Sequence, residues 1–383
     1  MGHFAFLFVN TALIFGCATM AIVFLTLPLP PNNDIRKYRI SLRFLAGAYL
    51  SMAAFKVIEM VFDVPAINFM SIPIVTIASL QALLFTFALI TLINPPLITR
   101  RLLYLQLIPI PVLIILFLIA SANWGNPKLV SFTELKEFVL HPTIIIRELF
   151  FLYYGLQLFN LTSIFTRQTR VFEKEIDNYF ADNDKFQLPW VKYCFYAALT
   201  VGICAILSCF VFSKQIEFIF SLIYAIFYLV FGIFYIQYPS TFVYILPAIY
   251  PLPLEKENVA KSDRRTTWIG MKNQILDEKY YLRTGVNIED MARYLKIGRT
   301  TLSGYINNEE KMTFNQWINS LRIQEAQNLL TQNKTLTLVQ IAEQVGYSEC
   351  SNFSKQFKLV TNETPSVWRQ IKKEQTLDSN HSC

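Results

Sequence analysis

Seven apolar stretches, each long enough to cross a lipid bilayer, occupy the chain as far as Gln237. They run Phe4–Leu27, Leu42–Phe62, Phe69–Ile93, Leu102–Ala120, Thr143–Phe165, Tyr193–Phe212 and Ile216–Gln237. A span needs ~20 mainly apolar residues, because the hydrocarbon layer is ~30 Å thick and a helix rises ~1.5 Å per residue. Hydrocarbon offers the backbone no hydrogen-bonding partner, so segments of this length and composition are read as helices. The first segment is too long for a signal peptide, has no Lys or Arg ahead of it and lacks a small-residue cleavage site, so it reads as a retained helix.

Charge is distributed to match. Charged residues make up 16% of the chain, against ~25% in ordinary soluble domains. The deficit is local: residues 1–254 hold 16 Lys/Arg and 12 Asp/Glu, whereas 255–383 hold 18 and 15 in about half the length. A tail with a net charge of +3 is only mildly basic. The loop charges set an orientation. Arg36, Lys37, Arg39, Arg43, Arg100, Arg101, Arg167, Arg170, Lys174, Lys185 and Lys192 fall on one side, with Lys128, Lys136 and Lys214 on the other. The Lys/Arg-rich side is cytoplasmic. The N-terminus is then outside, and seven crossings leave residue 239 onward inside.

Some polar groups lie within the spans. Lys56 and Glu59 are three apart on one helical face and can pair, and Arg147 and Glu148 lie one turn into the fifth span, followed by Gln157 and Asn160. Ionisable groups at membrane depth are costly and usually face a bundle interior or a cavity. Lys56, Glu59, Arg147 and Glu148 are therefore candidates for a signal pocket or relay; the alternative is a structural ion pair, with Arg147 snorkelling to the interface. Tyr153, Tyr154, Tyr224, Tyr228 and Tyr235 read as packing and interface aromatics. His3, His141 and His381 are isolated, the cysteines form no C-x-x-C pair, and no catalytic or phosphate-cradling motif is present. This reading implies no enzyme activity, no metal and no cofactor.

After the seventh span, Pro239, Pro247, Pro251 and Pro253 interrupt the chain, and Glu255–Arg265 reads as a polar tether. A helix from Thr267 to about Leu282 follows. Asn287–Leu295, a turn at Lys296–Gly298 and Arg299–Asn307 form one helix-turn-helix, in which Ile288, Met291, Ala292 and Leu295 make the apolar stripe. A long amphipathic helix, Phe314–Leu330, leads to a second. There Thr337 caps a short helix, Gly346 breaks it, and Glu349–Leu359 carries Phe353 and Phe357 on one face. A rigid connecting helix would hold two recognition helices about one DNA turn, ~34 Å, apart.

The stretches Leu321–Leu330, Ile341–Tyr347, Ser351–Phe357 and Thr364–Arg369 resemble, spacing included, the signature of AraC/XylS-type transcriptional regulators. The resemblance covers about 85 residues. It implies seven helices in two helix-turn-helix subdomains joined by a central helix. The seven apolar segments resemble the membrane-anchored bacterial members of that family. The chain as a whole is then all-α: a polytopic seven-helix transmembrane bundle (1–238), a Pro-rich and charged linker (239–266), a double helix-turn-helix DNA-binding domain (267–373) and a short tail (374–383). Carried over residue by residue, the start of the second recognition helix would present Glu349, Cys350, Ser351, Asn352 and Lys355 to DNA, and that of the first Arg299, Thr300, Thr301 and Ser303, with Gly304 where the family often has a longer polar or basic side chain. Lys296 and Gly298 replace the family's turn Gly and capping Ser, and Lys311 replaces another Gly. Arg322 is expected to pin the two subdomains by pairing with a buried acceptor, and Asn362 to take a left-handed turn.

The expected protein is a bacterial inner-membrane regulator whose bundle senses a small-molecule or protein signal and controls a cytoplasmic reader of double-stranded DNA, with a homodimer on a repeated site as one arrangement. Two alternatives stay open: a bundle that only anchors the reader in the lipid bilayer, and a transporter-like protein with a regulatory tail.

Overall fold

The computed structural model describes residues 3–29, 35–61, 70–94, 97–127, 129, 132–182, 186–210, 214–237, 245, 247–248, 264–332 and 335–372. The chain divides into two compact units. One comprises 1–172 and 188–246, the other 173–187 and 247–383. Among the described residues the only extended pairing is a bridge between Phe180 and Asn287. Most of the 239–266 linker and all of the 374–383 tail lie outside the described residues.

The first unit holds α1 (His3–Thr26), α2 (Ile35–Val61), α3 (Ile72–Ile93), α4 (Arg100–Leu107), α5 (Pro109–Trp124), α6 (Phe132–Glu137), most of α7 (Pro142–Tyr179), α8 (Pro189–Ser208) and α9 (Lys214–Ile236). With α4 and α5 counted as one crossing, seven of these helical stretches are long and apolar enough to span a membrane, as the sequence predicts. The fourth is interrupted at Ile108, because Pro109 has no N–H to continue the α4 ladder. The fifth departs most from expectation. It does not stop near Phe165 but continues to Tyr179 as a helix of 38 residues. That is ~57 Å at 1.5 Å per residue, well beyond one hydrocarbon thickness. The reason is legible in hindsight: 166–179 contains no Gly or Pro, and Phe165, Phe172, Ile176 and Tyr179 form one buried stripe.

In this unit α1 packs on α2 and α9, α2 on α3, α3 on α8, and α8 on α9. Polar side chains join helices that apolar contact alone would not hold together in lipid. Tyr38 and Tyr49 on α2 donate to the carbonyls of Tyr235 (2.6 Å) and Tyr228 (2.5 Å) on α9, and Tyr235 donates to Ala88 O (3.0 Å) on α3. Gln81 donates to Ala48 O (2.8 Å) and Ser51 Oγ (2.9 Å), Ser79 bonds Gln157, and Gln106 bonds Asn160 at 3.0 Å. Gln157 and Asn160, two of the polar groups noted in the fifth span, thus act as interhelical links.

The second unit contains α10 (Arg264–Asp277), α11 (Ile288–Tyr294), α12 (Arg299–Tyr305), α13 (Phe314–Gln332), α14 (Leu338–Gln344), α15 (Cys350–Thr361) and α16 (365–372). Among the described residues from 264 onward these seven α-helices match the number the resemblance implies, although α10 stops at Asp277 and Tyr280–Leu282 form a separate 3-10 turn. The Asn287 side chain caps α11 by accepting from Asp290 N, and Thr337 with Gln340 makes a capping box on α14. In the first subdomain Trp268 stacks on Tyr305 and lies 5.4 Å from Trp317, centroid to centroid. In the second, Ile323, Ala326, Leu330, Ile341, Ala342, Val345, Tyr347, Phe353 and Phe357 form one core.

The two turns solve one geometric problem with different residues. Gly346 has φ +90°, and a Cβ there would lie 2.4 Å from Leu282 O. Its counterpart Lys296 has φ +58°, and Lys311, also standing where the family has Gly, has φ +57°. Both lysines occupy a left-handed conformation that disfavours a side chain. Lys296→Gly is expected to raise the denaturation free energy of the detergent-solubilised chain by roughly 0.5–1 kcal/mol, and Gly346→Ala to lower it by more than ~2 kcal/mol. Denaturant titration followed by tryptophan fluorescence measures both. A destabilised Lys296→Gly would contradict the strain argument.

Candidate nucleic-acid interface and membrane cavity

The second recognition helix, α15, follows Glu349 and buries Phe353 and Phe357 in the core. That seating leaves Glu349, Ser351 and Lys355 exposed, while Cys350 packs partly against the same core. Asn352 goes inward: it is 5% exposed, and its amide donates to Asp182 Oδ1. In the first subdomain Thr300 is exposed and Thr301, Ser303 and Gly304 are half-buried, with Ser303 accepting from Asn307 Nδ2 through both Oγ and its carbonyl. Arg299 is 9% exposed. Its guanidinium donates to Pro247 O (2.6 Å) and Ala248 O (3.1 Å), lies 4.6 Å from the Tyr179 ring centroid and stands 4.0 Å from the Glu175 carboxylate. Burial lowers the pKa of Arg299 from its ordinary value, while Tyr179, Glu175 and Glu289 act in the opposite sense. The structure therefore leaves Thr300, Glu349, Ser351 and Lys355 outward and turns Arg299 and Asn352 toward protein partners.

Those partners come largely from a segment that sequence reading treated as a loop between two spans. Tyr179 donates to Glu289 Oε2 at 2.7 Å, and Ala181 N donates to Val286 O at 3.2 Å. Asn315 Nδ2 donates to the carbonyls of Phe180 (3.2 Å) and Ala181 (2.7 Å), and Asn319 Nδ2 to Ala181 O (3.0 Å). Ser348 Oγ donates to Asp182 Oδ2 at 3.2 Å. No local pattern marks Asp182, Asn315 or Asn319, because each acquires its role from a partner at least 134 positions away.

Arg322 does what was expected of it. It is wholly buried on α13, donates to Tyr281 O (2.8 Å) and Arg283 O (2.7 Å), and lies 5.2 Å from the Tyr347 ring centroid. It thereby joins the chain before α11 to the second subdomain, and the acceptors are backbone carbonyls. Burial lowers its pKa from the ordinary value. Glu325 on the same helix pairs with Lys279 at 2.6 Å.

In the first unit a cavity of about 620 Å³ is lined by Ser51, Phe55, Ile58, Glu59, Ile72, Pro73, Thr76, Ile77, Phe117, Leu118, Asn126 and Arg147, among others. Glu59 pairs with the buried Lys56 at 2.8 Å, as their spacing predicts. Arg147 is 2% exposed, bonds Asn126 and faces the Phe117 ring. Glu59 and Arg147 thus meet at one cavity, while Lys56 stands behind Glu59 and Glu148 is not among the lining residues. Asn126 and Thr76 are lining groups that the sequence did not single out.

Arg322→Leu removes the donors to Tyr281 O and Arg283 O from a buried site and is expected to cost ~2–4 kcal/mol of stability. Thermal unfolding measures this. An unchanged melting temperature together with lost DNA affinity would instead make Arg322 a DNA contact.

Residues 291–371 match a family described as "Helix-turn-helix domain". The raffinose operon transcriptional regulatory protein RafR of Pediococcus pentosaceus is 32% identical over 96 residues, which is 25% of this chain and 33% of that protein. The Msm operon regulatory protein of Streptococcus mutans is 25% identical over 103 residues, 27% of this chain and 36% of that protein. Histidine kinase P4 of Formosa agariphila is 38% identical over 84 residues, 22% of this chain and 6% of that protein. The chain thus spans well under half the length of each of these relatives. No solved structure matches it. Residues 291–371, which hold most of both helix-turn-helix units and the helix that connects them, are an AraC/XylS-type DNA-binding domain.

Proposed function

We propose that this protein is a transcription regulator that works from a membrane, with the reader on the cytoplasmic side and the N-terminus outside. The observation that carries the proposal is the union, in one chain, of seven span-length apolar helices and an AraC/XylS-type domain. The concentration of Lys and Arg at the start of α2, at the start of α4 and between 167 and 192 supports that orientation. Two relatives of the reader are themselves named as operon regulators. A homodimer on a repeated site suits a single bipartite reader, which covers one half-site.

The bundle is the sensor in this proposal. A cavity of about 620 Å³ lies in the ordinary range for small-molecule sites, ~300–1,000 Å³. Its walls are largely apolar, and Glu59, Asn126 and Arg147 add a few polar groups. That chemistry suits an amphipathic small molecule with an apolar body and a charged or strongly polar head. A signal acts by binding one arrangement of the bundle better than another, which shifts the balance between silent and DNA-engaged readers.

The test is genome-wide occupancy of the full-length protein beside a Ser351→Ala/Lys355→Ala variant. Discrete peaks sharing a repeated site are expected, with loss of most of them in the variant at equal protein level and membrane location. On one recovered site in vitro, Lys355→Ala alone should reduce the slope of log K against log salt by about one. Arg147→Met and Glu59→Gln are expected to alter reporter output while insertion is kept. Unchanged output would reduce the bundle to an anchor, and absence of peaks in every growth condition would remove the regulator reading.

A further inference from the structure

We infer that the stretch Glu175–Asp182, at the end of α7, is a built-in brake that competes with DNA for the reader. The inference rests on the DNA-reading function proposed above and adds a regulatory contact to it.

The argument begins with where the stretch sits. In the chain it lies between two spans, yet it clusters with the reader, in the same compact unit as 247–383. It also touches all three parts of the bipartite domain. Tyr179, Phe180 and Ala181 engage Glu289, Asn287 and Val286 of the first subdomain. The carbonyls of Phe180 and Ala181 take the amides of Asn315 and Asn319 on the connecting helix. Asp182 takes the amide of Asn352 and the hydroxyl of Ser348 in the second subdomain. A short segment thereby ties together two units whose relative placement decides whether both enter successive major grooves.

What the segment offers is also what DNA offers. Asp182 is an anionic double acceptor, as a phosphate is, and it satisfies an Asn amide and a Ser hydroxyl at the start of α15. On α12, Arg299 has its guanidinium against the Tyr179 face and 4.0 Å from Glu175. Arg299 and Asn352 are the two implied DNA contacts that the structure withdraws from the surface, 9% and 5% exposed, whereas Thr300, Ser351 and Lys355 stay outward. An approaching duplex would meet the carboxylates of Glu175 and Asp182 where it needs cations and donors, and like charge at close range opposes the approach. The brake is released when the stretch leaves. Because it is the continuation of α7, a helix that begins at Pro142 on the cavity side, movement of that helix is the natural trigger.

The test uses the full-length chain in nanodiscs and a random-sequence duplex library, from which sites are enriched by the parent, by Asp182→Ala and by Tyr179→Phe. Asp182→Ala is expected to bind the enriched duplex at least ~10-fold tighter than the parent, and Tyr179→Phe, which removes one hydrogen bond at the other subdomain, a few-fold tighter. Adding Lys355→Ala to Asp182→Ala should abolish the gain. Equal or weaker binding by both brake variants, with a site enriched by the parent, would overturn the brake and make the segment a structural brace. Failure of every protein to enrich any duplex would overturn the DNA-reading function, and the brake with it. Circular dichroism and monodisperse elution identify a variant that has misfolded, and in that case Tyr179→Phe decides.

Discussion

A backbone amide in hydrocarbon has only its own chain to bond, and this constraint organises the first two-thirds of the protein. It turns each apolar stretch into a helix and leaves side chains to settle how the helices join. The joints observed are hydroxyl and amide donors reaching carbonyls of neighbouring helices, from Tyr38, Tyr49, Tyr235 and Gln81. The same economy produces α7. Once a helix has begun, nothing in 166–179 ends it, and the stripe Phe172–Ile176–Tyr179 gives the extension a face to bury. A span thus grows into the element that carries Asp182 to the reader.

Within the reader, a buried cation holds the two subdomains. Two backbone carbonyls and an aromatic face receive Arg322. The arrangement depends on Gly346, which alone lets the turn pass so near Leu282 and Arg322. At the equivalent turn of the first subdomain a lysine holds a left-handed backbone, φ +58°. The first subdomain therefore tolerates a departure from the family pattern that the second would not. A harmless departure is also seen at Asn362, left-handed at φ +63° as its residue type suggested.

Much of this was legible in the sequence. Span count, the Lys56–Glu59 pair, the cap at Thr337, the two recognition helices and the burial of Phe353 and Phe357 all depend on residues within one or two turns of each other. Local spacing therefore reports them. The candidate DNA contacts were legible only as positions. Helical spacing placed Arg299 and Asn352 at the starts of recognition helices, but it carries no information about what approaches from elsewhere in the chain. The cavity shows the same division: Glu59 and Arg147 were visible as costly intramembrane charges, whereas Asn126, Thr76 and the apolar wall around them were not.

Read alone, the chain settled most of the elements: where most helices form, where glycine must turn, and which faces are apolar. These follow from backbone hydrogen bonding and from the 3.6-residue period, both short-range. Only the tertiary structure decided that Asp182 meets Asn352, 170 residues away, that Arg299 lies on Tyr179, and that Glu59 and Arg147 share a cavity. Such pairings arise when long-range packing brings distant stretches together, and no periodicity in the chain encodes the partner.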